Sequence, residues 1–224
     1  SLWEKSKSYS EIKDKYVEEF ASNQIETVTK KIISEEIKPN KMQRSFIENF
    51  EKLRNQDNKG LLISATGTGK TFAAAFAMRS IDAKRLLFIV HREQIARQAL
   101  ETFKTIFGTS RSYGLLTGKE KNIEADFIFS TVQTMSKEDV FKSFNDSHFD
   151  EIIIDEVHRA GADSYLRLMD YFKPVFYLGM TASPDRTDSF NIYELFNNNI
   201  VYEVRLKEAM ENSLLCPFHY FGIS

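Results

Sequence analysis

Gly60-Leu61-Leu62-Ile63-Ser64-Ala65-Thr66-Gly67-Thr68-Gly69-Lys70-Thr71 decides how the rest of the chain is read. Leu61, Leu62 and Ile63 form an apolar run long enough for one buried strand. The residues after them are small, and Gly67 and Gly69 have no Cβ, so the backbone can turn tightly and pass close to a ligand. Lys70 and Thr71 then open Phe72-Ala73-Ala74-Ala75-Phe76-Ala77-Met78-Arg79, an alanine-rich stretch of high helix propensity. Strand, glycine loop and helix in that order make a phosphate cradle. N–H groups of the loop and helix start point at the anion, the lysine adds charge, and the Thr71 hydroxyl reaches Mg²⁺. The general pattern has glycine at position 64, where this chain has Ser64, but Gly67 and Gly69 keep the positions at which backbone must approach phosphate. A ligand-free glycine turn before a helix has the same outline. Gly-Lys-Thr between strand and helix favours a nucleotide-phosphate site, with Thr66, Gly67, Thr68, Gly69, Lys70 and Thr71 as its binding residues.

Working outward, the pattern alternates between strands and helices. Pro39-Asn40 breaks the upstream region, and Asn40 is a candidate N-cap for a helix that buries Met42, Phe46, Ile47, Phe50 and Leu53 and runs through Arg54. Arg85 to Val90 is a near-continuous apolar run, as a parallel strand covered on both faces requires. His91-Arg92-Glu93 follows it, then a helix with Ile95, Ala99, Phe103 and Phe107 on one side. Strands are expected at 111–116, 126–130, 151–154, 175–179 and 200–206, and helices near 137–144, 163–172 and 190–197. The class is α/β with a mainly parallel sheet flanked by helices. Ligands in such sheets bind beyond the carboxyl ends of strands, and the polar clusters of this chain fall there.

Residues 1–38 carry stripes at helical spacing, Ile12, Tyr16 and Phe20 and then Ile25, Val28 and Ile32, and read as a helical appendage or the end of a preceding domain. The chain opens on Ser1, and apolar patterned sequence continues to its last residue, so it reads as a piece of a longer protein. A formal net charge of −2 supplies no global field for nucleic acid, and any such contact must be a local patch or a set of backbone hydrogen bonds. The single cysteine, Cys216, excludes an internal disulfide framework and fits a reducing, cytoplasmic compartment. No apolar run approaches the roughly 18 residues of a membrane span.

Ile152-Ile153-Ile154 followed by Asp155-Glu156 completes the chemistry. An acidic pair at a strand end can simply cap the next helix. With a phosphate loop upstream in the same sheet, the two acids instead divide the work of hydrolysis, Asp155 on the Mg²⁺ shell and Glu156 on the attacking water. Hydrolysis, and not binding alone, is the expected activity.

These stretches together resemble a known family. Ala65-Thr66-Gly67-Thr68-Gly69-Lys70-Thr71, Asp155-Glu156-Val157-His158 and Thr181-Ala182-Ser183 are similar to motifs I (Walker A), II (Walker B) and III of superfamily 2 DEAD/DEAH-box helicases and translocases, on the DExH side. The resemblance runs from about Pro39 to the C-terminus. Asp155 to Ala160 and Thr181 to Arg186 look most like bacterial proteins related to the motor subunits of type I and type III restriction enzymes. It implies a RecA-like P-loop domain over residues 39–206, with 207–224 as a connector toward a second RecA-like domain that closes over ATP and carries an arginine finger. It further implies ATP and Mg²⁺ as cofactors, nucleic acid as partner, DNA before RNA, and no membrane.

The resemblance also assigns roles. Gln43 matches the glutamine that reads adenine, and its amide can donate to N7 and accept from N6; an ordinary helix-surface glutamine is the plainer alternative. His91-Arg92, Thr117-Gly118 and Thr131 with its neighbours to Thr134 match motifs on the nucleic-acid face, where contacts go to phosphates without reading bases. Singly, each is equally an ordinary cap or turn. His158 would couple the catalytic acids to motif III, here Thr181 and Ser183, with serine where Thr-Ala-Thr is usual. A metal role for His158 has no partner spacing to support it. A different class remains open, an ATP-switched interaction module without motor activity.

Overall fold

The computed structural model describes residues 37–65, 67–157, 163–183 and 191–204. The stripes within residues 1–36, Thr66, His158 and the connector 207–224 lie outside the described residues.

In chain order the elements are α1 (Lys41–Arg54), β1 (Lys59–Ser64), α2 (Lys70–Ser80), β2 (Leu86–Val90), α3 (Glu93–Phe107), β3 (Tyr113–Leu116), β4 (Phe127–Thr131), α4 (Val132–Met135), α5 (Glu138–Phe141), β5 (Glu151–Asp155), α6 (Asp163–Tyr171), β6 (Phe176–Thr181), α7 (Ile192–Leu195) and β7 (Ile200–Val204). The seven strands form one sheet in the order β3-β4-β2-β5-β6-β1-β7, and every pairing is parallel. Because all crossovers return to the same end of the sheet before the next strand begins, all seven carboxyl ends lie on one edge.

The apolar strands serve two cores by period-two alternation. Leu62, Phe88, Val90, Ile153, Phe176 and Leu178 point to the face covered by α1, α2 and α3. Leu61, Ile63, Leu87, Ile89, Ile152 and Ile154 point to the opposite face with Met135, Phe141, Tyr165, Leu168 and Phe172. Much of the phenylalanine content goes into the first core, where Phe103 of α3 lies 5.7 Å from Phe88, 6.0 Å from Phe127 and 5.3 Å from Phe129, with interplanar angles of 69–83°. Edge-to-face packing of this kind adds to the area buried. Ala73, Ala74, Ala75 and Ala77 are fully buried and Phe76 and Met78 are buried with them, so α2 is enclosed on nearly every side.

The departures from the expected elements are local. The helix expected at 137–144 shortens to a single turn, α5, and a further turn not expected from the pattern, α4, begins directly after β4. Residues 111–112 do not extend β3, because the Ser112 N–H and hydroxyl both donate to Asp126. Left-handed Asn197 and Asn198 follow α7.

Among the described residues, Arg54 and Glu151 form an ion pair with a buried carboxylate. Arg54, in the last turn of α1, donates through Nε at 2.9 Å and Nη2 at 2.6 Å to Oε1 of Glu151, which opens β5 and is almost wholly buried. Burial pushes the Glu151 carboxyl up to about 7 from an ordinary 4.5, against the pull of Arg54. A carboxyl raised in the folded state contributes stability that is present at low pH and lost as pH rises, here across the window from about 4.5 to about 7. Urea unfolding midpoints should therefore fall across that window, and Glu151→Gln should flatten the fall. An unchanged slope in the variant would show that Glu151 does not titrate there. No described helix is long and apolar enough to cross a membrane.

Candidate nucleotide and nucleic-acid site

The loop after β1 is built to receive an anion. Gly67 and Gly69 have φ of +86° and +84°, a region in which a side chain would be strained. Gly69 is the N-cap of α2, provides no side-chain cap, and no acidic residue sits in the first turn. Among the described residues no side chain caps the N–H groups opening that helix, and a phosphate suits its positive end. Lys70 is half-buried, and its Nζ donates to the carbonyl of Ser64 at 2.9 Å and of Ala65 at 3.4 Å. Burial pulls the Lys70 ammonium down, while Asp155 and Glu156 push it up.

Ser64 has a use that the glycine of the general pattern could not serve. Its hydroxyl lies 2.6 Å from that of Thr68, which in turn donates to the Ala65 carbonyl at 2.8 Å. This fastens the loop from inside, and it turns the buried Thr68 hydroxyl toward the protein. The signal in the sequence was a hydroxyl pair four residues apart bracketing the loop.

Asp155 ends β5 and is nearly buried. In the order β5-β6-β1 the acidic pair and the phosphate loop flank the end of β6, so Thr181 stands between them, in register with Ile63 on one side and next to the Asp155↔Met180 pairing on the other. Thr181 is buried and its Oγ1 accepts the N–H of Ser183 at 3.2 Å; Ser183 itself is exposed. Burial first, then the like charge of Glu156, raises the Asp155 carboxyl to about 6, opposed by Lys70. Glu156 is only partly buried, has φ +53°, and its N–H donates to Asp155 Oδ1 at 3.0 Å. Among the described residues no cluster of three or more His, Cys, Asp or Glu side chains forms a metal site. A divalent ion beside Asp155 and Thr71 would therefore take most of its ligands from nucleotide phosphates and water, as small hard cations commonly do.

Gln43 is buried within a capping box: its N–H donates to Asn40 Oδ1 at 2.8 Å, and its Oε1 accepts the Asn40 N–H at 2.9 Å. That pins the amide, and its Nε2 lies 3.2 Å from where a Cβ on Gly69 would stand. Gln43 thus faces the phosphate loop with its donor, and one lone pair of Oε1 is already engaged. Gln43→Ala should narrow the preference for ATP over GTP by about 1–2 kcal/mol, two hydrogen bonds' worth. The accompanying loss of the cap affects both nucleotides alike and cancels in the ratio. Titrating both nucleotides against wild type and variant checks it, and an unchanged ratio would remove Gln43 from base choice.

The residues expected on a nucleic-acid face lie at the carboxyl ends of β2, β3 and β4. Arg92 and Gly118 are exposed and His91 is half-buried. The two threonines point inward: Thr117 is buried, with Oγ1 accepting the N–H groups of Lys119 and Glu120, and Thr131 donates to Thr134 Oγ1 at 3.0 Å.

A phosphate loop after β1 and an acidic pair at the end of β5, on either side of β6 in a parallel sheet, define a P-loop domain of the RecA-like kind found in superfamily 2 helicases. More narrowly, the chain belongs to the family of the type III restriction enzyme res subunit, whose family model matches residues 36–186. It is 31% identical over 180 residues to the type I restriction enzyme EcoAI endonuclease subunit of Escherichia coli, covering 75% of this chain and 22% of that subunit. Among solved structures, a nuclease-deletion mutant of the type ISP restriction-modification enzyme LlaGI with a DNA substrate mimic superposes with a TM-score of 0.62 at 19% identity, over 80% of this chain and 21% of that one. The UvsW helicase of bacteriophage T4 gives 0.61 at 20% identity, over 75% and 61%. The chain thus spans about a fifth of the length of the EcoAI subunit.

Proposed function

We propose that residues 39–206 are the first RecA-like domain of an ATP-hydrolysing motor that acts on nucleic acid, DNA before RNA, as a helicase or translocase of restriction or repair type. Residues 1–38 are its appendage, 207–224 lead to a second RecA-like domain, and the lone Cys216 suits a reducing cytoplasm. The observation that carries the reading is the convergence of Lys70 and the Asp155–Glu156 pair at the ends of β1 and β5, on either side of β6, close enough for both acids to act on the Lys70 ammonium and for Lys70 to act on Asp155. In this reading Gly67, Gly69 and the start of α2 bind the phosphates through N–H groups, and Lys70 turns from the Ser64 carbonyl to the β/γ-phosphates. Glu156 takes the proton of the attacking water. Asp155 and Thr71 would hold Mg²⁺, which neutralises developing charge on the phosphates. His158 and Thr181 would pass the state of the site to the nucleic-acid face. The DNA substrate mimic bound to the similar LlaGI enzyme supports DNA as the polymer.

The test is ATP turnover by the protein joined to its second domain. Hydrolysis should rise on adding DNA and disappear in Lys70→Ala. Turnover indifferent to both DNA and RNA would favour an ATP-switched interaction module.

A further inference from the structure

The loops at the carboxyl ends of β2 and β3 are tied together by one side chain. Arg97, one turn into α3, donates through Nε at 3.1 Å and Nη2 at 2.7 Å to Oε1 of Glu93, and the same Nη2 reaches Oε1 of Glu120 at 2.5 Å. Glu93 directly follows His91-Arg92, and Glu120 lies in the loop after β3. That loop is closed on itself: the Thr117 N–H donates to the Glu120 carbonyl at 2.8 Å, Thr117 Oγ1 accepts two further amides, and Leu116 bridges to Lys121. It is therefore a small internally braced unit, and the Arg97 bridge ties that unit to the first turn of α3.

We propose that Arg97 is a positioning residue of the nucleic-acid face, holding the backbone of Gly118-Lys119 in fixed register with His91-Arg92 by bridging Glu93 and Glu120. The inference rests on the nucleic-acid reading given above. Its physical basis is the placement of two carboxylates on a surface read as meeting phosphates, where they would repel the polymer if left uncovered. A guanidinium can neutralise both while fixing their geometry, because its planar fork presents several donors at once, whereas a lysine offers a point charge. All three side chains are partly exposed, so the bridge is worth the modest amount typical of a surface network, and it acts on loop placement and leaves the fold intact.

The experiment measures nucleic-acid-stimulated ATP hydrolysis by the two-domain protein, using single- and double-stranded DNA, in wild type, Arg97→Ala, Arg97→Lys, Glu120→Ala and the Arg97→Ala/Glu120→Ala double variant. The DNA concentration for half-maximal stimulation should rise about three- to fivefold in each alanine variant. The rate at saturating DNA should hold, and Arg97→Lys should recover only part of the loss. The double variant should be no worse than Arg97→Ala alone, as expected for two ends of one interaction. Glu120→Ala decides the matter, since charge alone predicts that deleting a carboxylate tightens DNA binding. Tighter binding in that variant, additive losses in the double, or unmoved half-saturation in Arg97→Ala would each overturn the proposal. So would a drop of about 0.9 in the slope of log affinity against log salt for Arg97→Ala, which marks a lost phosphate contact. A wild type that no nucleic acid stimulates would overturn the underlying reading and this inference with it. Stimulated wild type with indifferent variants sinks the inference alone.

Discussion

Residues 1–224 by themselves should hydrolyse ATP barely above background and ignore added nucleic acid, whereas the same domain joined to a second RecA-like domain should turn over roughly 10³–10⁵ faster. The site supplies phosphate-binding N–H groups, the Lys70 charge and the acidic pair from one side. Among the described residues Lys70 is the cation acting on Asp155, and it sits at the base of the loop, bonded to the Ser64 and Ala65 carbonyls. Charge that develops on the γ-phosphate in the transition state needs a cation from the opposite side, and an arginine finger on a facing domain provides one with a very large effect for a single group. The same facing domain would complete the track for nucleic acid, for which a net charge of −2 offers no substitute. Phosphate release from the 224-residue chain, with and without single- and double-stranded DNA and RNA, checks it. Strong stimulated turnover by this chain alone would place the finger within it, with Arg159 and Arg186 the first to replace.

The second large effect belongs to Glu156. Glu156→Gln in the two-domain protein should lower turnover about 10²- to 10⁴-fold while ATP and Mg²⁺ still bind, because an amide cannot accept the proton of the attacking water. The electrostatics sharpen this expectation. Glu156 repels the Asp155 carboxylate and contributes to raising it toward 6. Removing that charge moves Asp155 downward, so Asp155 stays ionised at lower pH and metal binding in the variant should persist to more acidic conditions than in wild type. Asp155→Asn should do the reverse, weakening the dependence of turnover on Mg²⁺. Near-wild-type hydrolysis by Glu156→Gln would remove Glu156 from the role of base.

The parts of the site carried by contiguous residues are readable in the sequence. The phosphate loop and the Asp155–Glu156 pair are local patterns whose chemistry follows from residue type and flanking elements, and the two-faced apolar strands announce a parallel sheet. Asn40 as N-cap can be read because a cap is a local bond; the reciprocal bond from Gln43 cannot, since it depends on the rotamer of a long side chain that also lies against the phosphate loop. The order β3-β4-β2-β5-β6-β1-β7 is not legible, because crossovers of similar length can place a strand on either side of its predecessor. Nor is the inward turn of Thr117 and Thr131, as a hydroxyl at a strand end satisfies the protein or a ligand equally well until its neighbours are fixed. The bridge from Arg97 to Glu120 joins residues brought together only by β3 lying two strands from β2.

The left-handed backbone of Glu156 sets evolution and engineering at odds at this position. Most side chains are disfavoured there by about 1–2 kcal/mol; glycine has no Cβ to clash, and asparagine offsets part of the cost by hydrogen-bonding locally. A selection for heat resistance that never asks for ATP turnover should therefore enrich Gly or Asn at position 156 and return sturdier, inert domains. If Glu156 is the base proposed above, glutamate should persist there only under selection for turnover, and its frequency in such a library would report on that role.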